Sequence, residues 1–209
     1  MPHNQWWTIK DQSLAIYMRN VGFDLAVYSQ YSPEVQTEAR KWAIKQTMAG
    51  IKKSFEAEAD FSLSDINKGV YVISLSTTLS IDYQNRWSPV IYIGLGNILS
   101  RIERHFNNSL FEFMQSLSGA NFDFCFANPH KPYHPDYHKH VEFQMLEYFS
   151  EKIGGIDNKK RFPILNKNAG ANKHIDEGED WWTTPLKATG KRPFWALKPT
   201  EHSDFAPLD

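Results

Sequence analysis

The sequence has one cysteine among its 209 residues, which excludes an internal disulfide and a cysteine-rich zinc site. That residue, Cys125, lies in the apolar run FDFCF, which predicts a buried thiol on a strand. No apolar run approaches the roughly 18 residues of a membrane-spanning helix. The N-terminus, MPHNQWWTIK, lacks the charged-then-apolar order of a secretory signal. We therefore expect a cytoplasmic protein with no membrane partner.

An excess of positive charge is also missing. The 23 Lys and Arg residues are balanced by 24 Asp and Glu residues, giving a formal net charge of −1. Nucleic-acid-binding proteins usually carry a basic surface, so any such surface must be local here. The basic residues form three clusters: Arg40, Lys41, Lys45, Lys52 and Lys53; Lys159, Lys160 and Arg161; and Lys187, Lys191 and Arg192. Each cluster is either a phosphate contact or simply a solvated face.

The chain shows no internal repeat, low-complexity tract or long Gly/Ser linker. Its apolar content of 41% is enough for one domain with a hydrophobic core. We divide that domain into an N-terminal helical extension at 1–60, a core at 61–170 and a C-terminal aromatic and basic strap at 171–209.

Local patterns predict the order of the elements. Ser32-Pro33-Glu34 is typical of a helix start, and the helix is predicted to reach about Phe55. Two β-branched and aromatic runs, at 68–73 and 89–94, predict paired strands, joined by a long projecting connection at 74–88. The remaining predicted elements are a helix capped by Asn97, a second helix capped by Ser109, a strand at 122–126, a helix from Asp136 to Gly154 and an extended segment at 162–166. The expected fold class is α/β, with a small antiparallel or mixed three-stranded sheet flanked by helices.

The two predicted strands carry a recognisable pair of tripeptides, Gly69-Val70-Tyr71 and Tyr92-Ile93-Gly94. The segment Asn97-Ile98-Leu99-Ser100-Arg101 then opens a helix, and His105 follows one turn after the arginine. With Glu142 early on a late helix and Asn166 after a proline, this order resembles the GIY-YIG nuclease family over roughly half of the chain. The stretch from Gly94 to Arg101 is slightly shorter than in the family, and the connection between the strands is longer.

The resemblance implies an endonuclease that hydrolyses DNA phosphodiesters with Mg²⁺, or with Mn²⁺ in its place. Glu142 is the predicted metal ligand, with Glu147 as the alternative. A single carboxylate is enough to anchor Mg²⁺, since it leaves the other coordination positions for water and phosphate. Arg101 carries a fork of donors that matches phosphate. Tyr71 is the implied general base, and Tyr92 would orient water or phosphate.

Six further residues complete the predicted catalytic and substrate-binding set. His105 shares a helix face with Arg101, where it could bind phosphate or assist proton transfer. Asn166 is the implied catalytic asparagine. Gly94 would let the substrate backbone approach the strand end, and Lys159, Lys160 and Arg161 are candidate phosphate contacts.

Two other groups have alternative interpretations. A histidine-rich loop could hold Zn²⁺, contact phosphate or be merely solvated; its members are His130, His134, His138 and His140. The strap could stack on unpaired bases, but packing onto the core is favoured; its members are Trp181, Trp182, Lys187, Lys191, Arg192, Phe194 and Trp195.

The best subclass prediction is a restriction-type endonuclease, because the sequence shows no separate DNA-reading module. Such an enzyme would dimerise to cut both strands. The alternatives are a protein that keeps the GIY-YIG fold and binds nucleic acid without cutting it, and a nuclease that acts on RNA or branched DNA.

Overall fold

A computed structural model describes residues 2–76, 79–83, 85–117, 119–155, 160–166, 170, 179–186 and 195–198. These residues form a mixed α/β structure with five α-helices, a four-stranded antiparallel sheet and a three-stranded mixed sheet. The helices are α1 Leu14–Asn20, α2 Pro33–Glu58, α3 Ile98–His105, α4 Phe111–Ser116 and α5 Tyr137–Phe149. The strands are β1 Trp6–Gln12, β2 Gly69–Leu75, β3 Leu79–Asp82, β4 Trp87–Ser88, β5 Val90–Gly96, β6 Phe122–Ala127 and β7 Trp195–Leu197.

The larger sheet has the strand order β1-β6-β2-β5. Strand β2 is buried along its whole length, as expected for an apolar strand that is paired on both sides. Helix α2 packs on one end of this sheet, where the ring of Phe55 lies 6.0 Å from the rings of Trp7 and Phe126. Helix α5 lies against β2 and β5. The α/β class expected from the sequence is thus confirmed.

Strand β1 is the main difference from the predicted fold. The first sixty residues were expected to be helical, but Trp6–Gln12 pairs antiparallel with β6 and makes the sheet four-stranded instead of three-stranded. Trp7 and Ile9 alternate with less buried neighbours, which is the period-2 pattern of a strand. The pattern covers only a few residues, and the partner strand is distant in the sequence.

The connection between β2 and β5 does not simply project. Part of it forms β3 and β4, and β3 pairs parallel with β7 in the small sheet. The side chain of Tyr83, which lies between β3 and β4 in the sequence, is buried, and its O–H donates to the Val90 carbonyl at 2.6 Å. Burial of this aromatic ring holds the connection against the core.

Two of the three predicted helix N-caps are confirmed and one is wrong. The Val35 N–H donates to the Ser32 side chain, and the Ser100 N–H donates to Asn97, as expected for N-caps. The cap predicted at Ser109 is wrong, because a π-helical segment at Phe106–Leu110 joins α3 to α4. Arg40 donates to the carbonyls of residues 106, 107 and 108 and thereby ties this irregular turn to α2.

Three smaller expectations can be compared with the fold. Cys125 is buried on β6 as predicted, with its Sγ 3.4 Å from the Thr8 hydroxyl oxygen. Helix α5 continues through a π-helical turn to Gly154, close to the predicted end. Among the described residues, none of the helices has the length and apolar character needed to cross a membrane.

Candidate active site

Tyr71 and Tyr92 project from the same face of the sheet. The register places Tyr71 opposite Gly94 and Ile73 opposite Tyr92, so the two tyrosines are diagonal neighbours on adjacent strands. Their rings stack with centroids 5.7 Å apart. The two tripeptides seen in the sequence therefore bring their aromatic side chains together.

Gly94 gives these rings the space they occupy. A Cβ at this position would lie 2.5 Å from Cε1 of Tyr92 and 2.7 Å from Cζ of Tyr71. Both distances are well below van der Waals contact. Gly94 was predicted to let a substrate approach, and the structure shows that it accommodates the tyrosine pair.

We expect Gly94→Ala to displace both rings and to destabilise the fold by about 1–3 kcal/mol, the usual cost of overpacking. The same change should reduce any activity that depends on the tyrosine hydroxyls. Urea denaturation and circular dichroism measure the stability. Gly119→Ala is the matched control, because a Cβ there meets nothing within 4 Å. Equal stability of the two variants would contradict the close contact expected between a Cβ at position 94 and the tyrosine rings.

Arg101 lies in the first turn of α3, where it reaches back over the end of β5. Its Nε donates to the Leu95 carbonyl at 3.0 Å. Gly96 has a φ of 122°, and a Cβ there would come within 3.3 Å of the Arg101 side chain. This bond and this glycine fix the arginine stem, while the side chain stays only partly buried.

His105 completes the cluster one helical turn after Arg101. Its Nε2 lies 2.7 Å from the Tyr71 hydroxyl oxygen, and its ring centroid lies 4.3 Å from that of Tyr92. Residues four apart on a helix share a face, which explains why His105 and Arg101 reach the same tyrosines.

The protonation of this cluster follows from its burial. Burial raises the pKa of Tyr71 well above its ordinary value, and the positive charge of Arg101 opposes that rise. Burial and Arg101 together lower the pKa of His105 from 6.5 to about 4. At neutral pH both groups are uncharged. When the imidazole carries its proton on Nδ1, the Tyr71 O–H donates to Nε2.

This depressed pKa predicts a loss of stability in acid. Because His105 resists protonation in the folded state, it contributes to the free energy of unfolding. That contribution is complete above pH 6.5 and is lost as the pH falls through about 4. We expect the urea midpoint of His105→Gln to fall less than that of the wild type between pH 7 and pH 4. His134→Gln, at an exposed position, should track the wild type. Parallel curves for all three proteins would refute the linkage.

Glu142 approaches the cluster from α5. Its side chain is buried, with only 7% of the residue exposed. Burial raises the pKa of Tyr92, Arg101 opposes that rise and the negative charge of Glu142 adds to it. The alternative carboxylate, Glu147, lies about 140° further around the helix. It pairs with Lys160 at 2.6 Å instead.

The arrangement of donors limits the kind of metal that fits. Within the described ranges, no three or more His, Cys, Asp and Glu side chains are grouped to hold an ion. The histidine-rich loop provides no such group: His130 stacks on His3 at 4.5 Å, and His138 and His140 are buried on α5. A single buried carboxylate suits a hard cation that retains most of its water ligands, as Mg²⁺ does.

Asn166 lies beside the cluster but is occupied by the backbone of β5. The Ile93 N–H donates to its Oδ1 at 2.9 Å, and its Nδ2 donates to the Ile93 carbonyl at 2.7 Å. Both bonds hold the 162–166 segment against β5, next to Tyr92. This places Asn166 as a positioning residue for the strand.

The predicted phosphate contacts at 159–161 do not join the cluster as a group. Lys160 is paired with Glu147, and Lys159 lies outside the described residues. Arg161 is buried, with 7% of the residue exposed, and donates to the Tyr83 carbonyl at 3.3 Å. Arg161 is therefore placed to brace the core.

The described part of the strap packs onto the core, as favoured from the sequence. Trp6 Nε1 donates to the Trp181 carbonyl at 3.1 Å, and the rings of Trp182 and Tyr148 lie 5.8 Å apart. The basic residues of the strap and Phe194 lie outside the described residues, whereas Trp195 begins β7.

The sequence did not identify two features that orient Arg101, namely the left-handed φ of Gly96 and the Leu95 carbonyl. A glycine just before the Asn97 cap was the available signal, because glycine adopts positive φ readily.

Comparisons of the chain with protein-family profiles, with curated proteins and with solved structures give no match.

Proposed function

We propose that this chain is a metal-dependent endonuclease that hydrolyses DNA phosphodiester bonds in a GIY-YIG-like fold. The observation that carries the proposal is the convergence of Tyr71, Tyr92, Arg101 and His105 on one half-buried cluster, with the carboxylate of Glu142 close enough to affect Tyr92. Each residue type has an ordinary structural use, and their combination at one place suits phosphoryl chemistry.

Arg101 would bind the scissile phosphate. Its Nε is held by the Leu95 carbonyl, and its terminal nitrogens would donate to phosphate oxygens. The guanidinium stays charged at physiological pH and can stabilise negative charge that develops in the transition state. The partial exposure of Arg101 allows a phosphate to reach it.

Tyr71 and His105 would move the proton of the attacking water. A phenol whose pKa is raised by burial is a poor base by itself. In our proposal the hydroxyl of Tyr71 accepts the proton of water while its own proton passes to Nε2 of His105, which lies 2.7 Å away. Burial and Arg101 disfavour the imidazolium that forms, so the negative charge of the bound phosphate is needed to stabilise it. The pair thereby avoids a free phenolate. Tyr92, stacked beside Tyr71, would orient water or phosphate.

Glu142 would hold Mg²⁺ or Mn²⁺. When bound, such an ion neutralises charge on the phosphate and the leaving oxygen. The carboxylate is buried and lies near enough to Tyr92 to affect its pKa, whereas Glu147 lies about 140° further around the helix. The proposal therefore assigns the metal to Glu142.

Cleavage of supercoiled plasmid tests this function directly. Purified protein should nick or linearise the plasmid with Mg²⁺ or Mn²⁺ and should be inactive in EDTA. A parallel panel of single-stranded DNA, branched DNA and RNA identifies the preferred substrate. Sedimentation with and without DNA shows whether two copies assemble for double-strand cutting. If the protein cuts none of these substrates with either metal, the enzyme proposal is overturned.

One observation favours a second candidate, a nucleic-acid-binding protein of the same fold without catalysis. The raised pKa of Tyr71 is unfavourable for a general base. Such a protein would bind DNA with a steep salt dependence and leave the plasmid intact. The same assays therefore separate the two candidates.

A further inference from the structure

The loop between β6 and α5 lies at the end of the sheet where the candidate site is built. Ala127, the last residue of β6, pairs with Val70, which directly precedes Tyr71. The helix that follows the loop carries Glu142. The loop thus connects a strand beside one part of the site to the helix that supplies another part.

This loop is held firmly at several points. Asn4 exchanges two hydrogen bonds with the backbone of His130, at 3.0 and 2.9 Å. The Lys68 ammonium donates to the Pro135 carbonyl at 3.3 Å. The backbone closes two successive turns, with the N–H of residue 134 bonded to the carbonyl of residue 131, and that of 137 bonded to 134. Prolines occupy the second position of both turns, which restricts the loop further.

Tyr133 occupies the tip of the first turn in an unusual state. Its side chain packs against nothing substantial, because the residue is 100% exposed. Its φ is 65°, a left-handed conformation that glycine or asparagine normally takes at this position of a turn. A large ring is therefore presented to solvent on a backbone that disfavours it.

The surface around Tyr133 has the chemistry of a nucleotide site. A cavity of about 400 Å³ opens beside it and is lined by cationic and imidazole side chains as well as by the tyrosine. Those that matter here are Lys68, Lys131, His3, His130 and His134. Ammonium groups complement phosphate, and an exposed phenol ring offers a flat face for stacking. An apolar peptide would not be matched by such a rim.

We propose that Tyr133 and the cavity beside it form a subsite that stacks on an unpaired nucleobase of the nucleic-acid substrate, next to the phosphate that is cut. Bases inside a regular duplex are covered by their neighbours, so this subsite selects DNA with a base out of the stack. The inference rests on the proposed nuclease function and narrows its substrate to DNA that contains an unpaired base.

Binding measured without cleavage tests the subsite. Fluorescence anisotropy in EDTA compares a short, fully paired duplex with the same duplex carrying one unpaired adenine. The wild type should prefer the second duplex. Tyr133→Ala and Tyr133→Gly should lose about 5- to 150-fold of the affinity for it, the range found when one stacking aromatic is removed. Tyr133→Phe and Tyr133→Trp should stay close to the wild type.

Tyr133→Gly also separates binding from folding. Glycine suits the left-handed turn, so the melting temperature of this variant should be no lower than that of the wild type. Trp42→Ala removes another exposed aromatic ring, on α2, and should leave the preference unchanged.

The possible results point to different conclusions. Wild-type binding of DNA together with unchanged affinity in Tyr133→Gly overturns the stacking subsite and leaves the nuclease proposal intact. So does an equal loss of preference in Trp42→Ala. A wild type that neither binds nor cuts any of the nucleic acids overturns the nuclease proposal itself.

Discussion

Replacing Arg101 with alanine is expected to reduce DNA cleavage by at least about 10²- to 10³-fold, the usual effect of losing one preorganised donor at a developing charge. The loss should fall on the chemical step, because the guanidinium is aimed at the tyrosine cluster and bears the charge that opposes the rise in the pKa of Tyr71. Arg101→Lys should not restore activity, since an ammonium lacks the planar fork of donors. Single-turnover rates on supercoiled plasmid measure the effect.

Arg104→Ala is the matched control for this variant. Arg104 lies on the same helix and is exposed to solvent. Its removal changes the net charge equally but leaves the cluster untouched. Activity should stay within a few-fold of the wild type, and the salt dependence of binding should change more in Arg101→Ala than in Arg104→Ala, because only Arg101 is proposed to contact the phosphate. Equal losses of cleavage in both variants would show that Arg101 acts only through long-range charge.

Replacing Glu142 with glutamine is expected to abolish metal-dependent cleavage, with a loss of about 100-fold or more. The amide preserves the size of the side chain but removes the charge that a hard cation requires. The reduced negative charge should also lower the pKa of Tyr92, because Glu142 contributes to raising it. Mn²⁺ binding, measured from the electron paramagnetic resonance signal of the ion, provides a readout that is independent of activity.

Glu147→Gln controls for the loss of a carboxylate from α5. Glu147 pairs with Lys160 away from the tyrosines, so this variant should retain Mn²⁺ binding and cleavage. Its only expected cost is that of a partly exposed ion pair, about 0–1 kcal/mol of stability. If Glu147→Gln lost Mn²⁺ binding and Glu142→Gln kept it, the assignment of the two carboxylates would be reversed.

The parts of the site that lie close together in sequence could be predicted from sequence. Two short strands that pair as a hairpin bring Tyr71 opposite Gly94, and the helix that follows directly delivers Arg101 and His105 at one-turn spacing. These relations depend on strand pairing and helix geometry alone, both of which leave local patterns.

Other features depend on contacts between distant segments. The choice between Glu142 and Glu147 is decided by how α5 rotates against β2 and β5, and neighbouring sequence does not encode that rotation. The two hydrogen bonds between the Asn166 side chain and the Ile93 backbone join a late loop to an earlier strand. Strand β1 was missed for the same reason. Ser109 was misread because Arg40, on another helix, stabilises a π-helical turn there.

The placement of β6 between β1 and β2 has a consequence for how the protein folds. Its partners in β1 precede it by more than one hundred residues, so this pairing has high contact order and closes a long loop. During synthesis the hairpin of β2 and β5 and helix α3 leave the ribosome before β6, and α5 leaves last of these elements. The two tyrosines, Arg101 and His105 can therefore assemble on the nascent chain before the carboxylate of Glu142 has left the ribosome. A chain released early would lack Glu142, the metal ligand of the proposed nuclease.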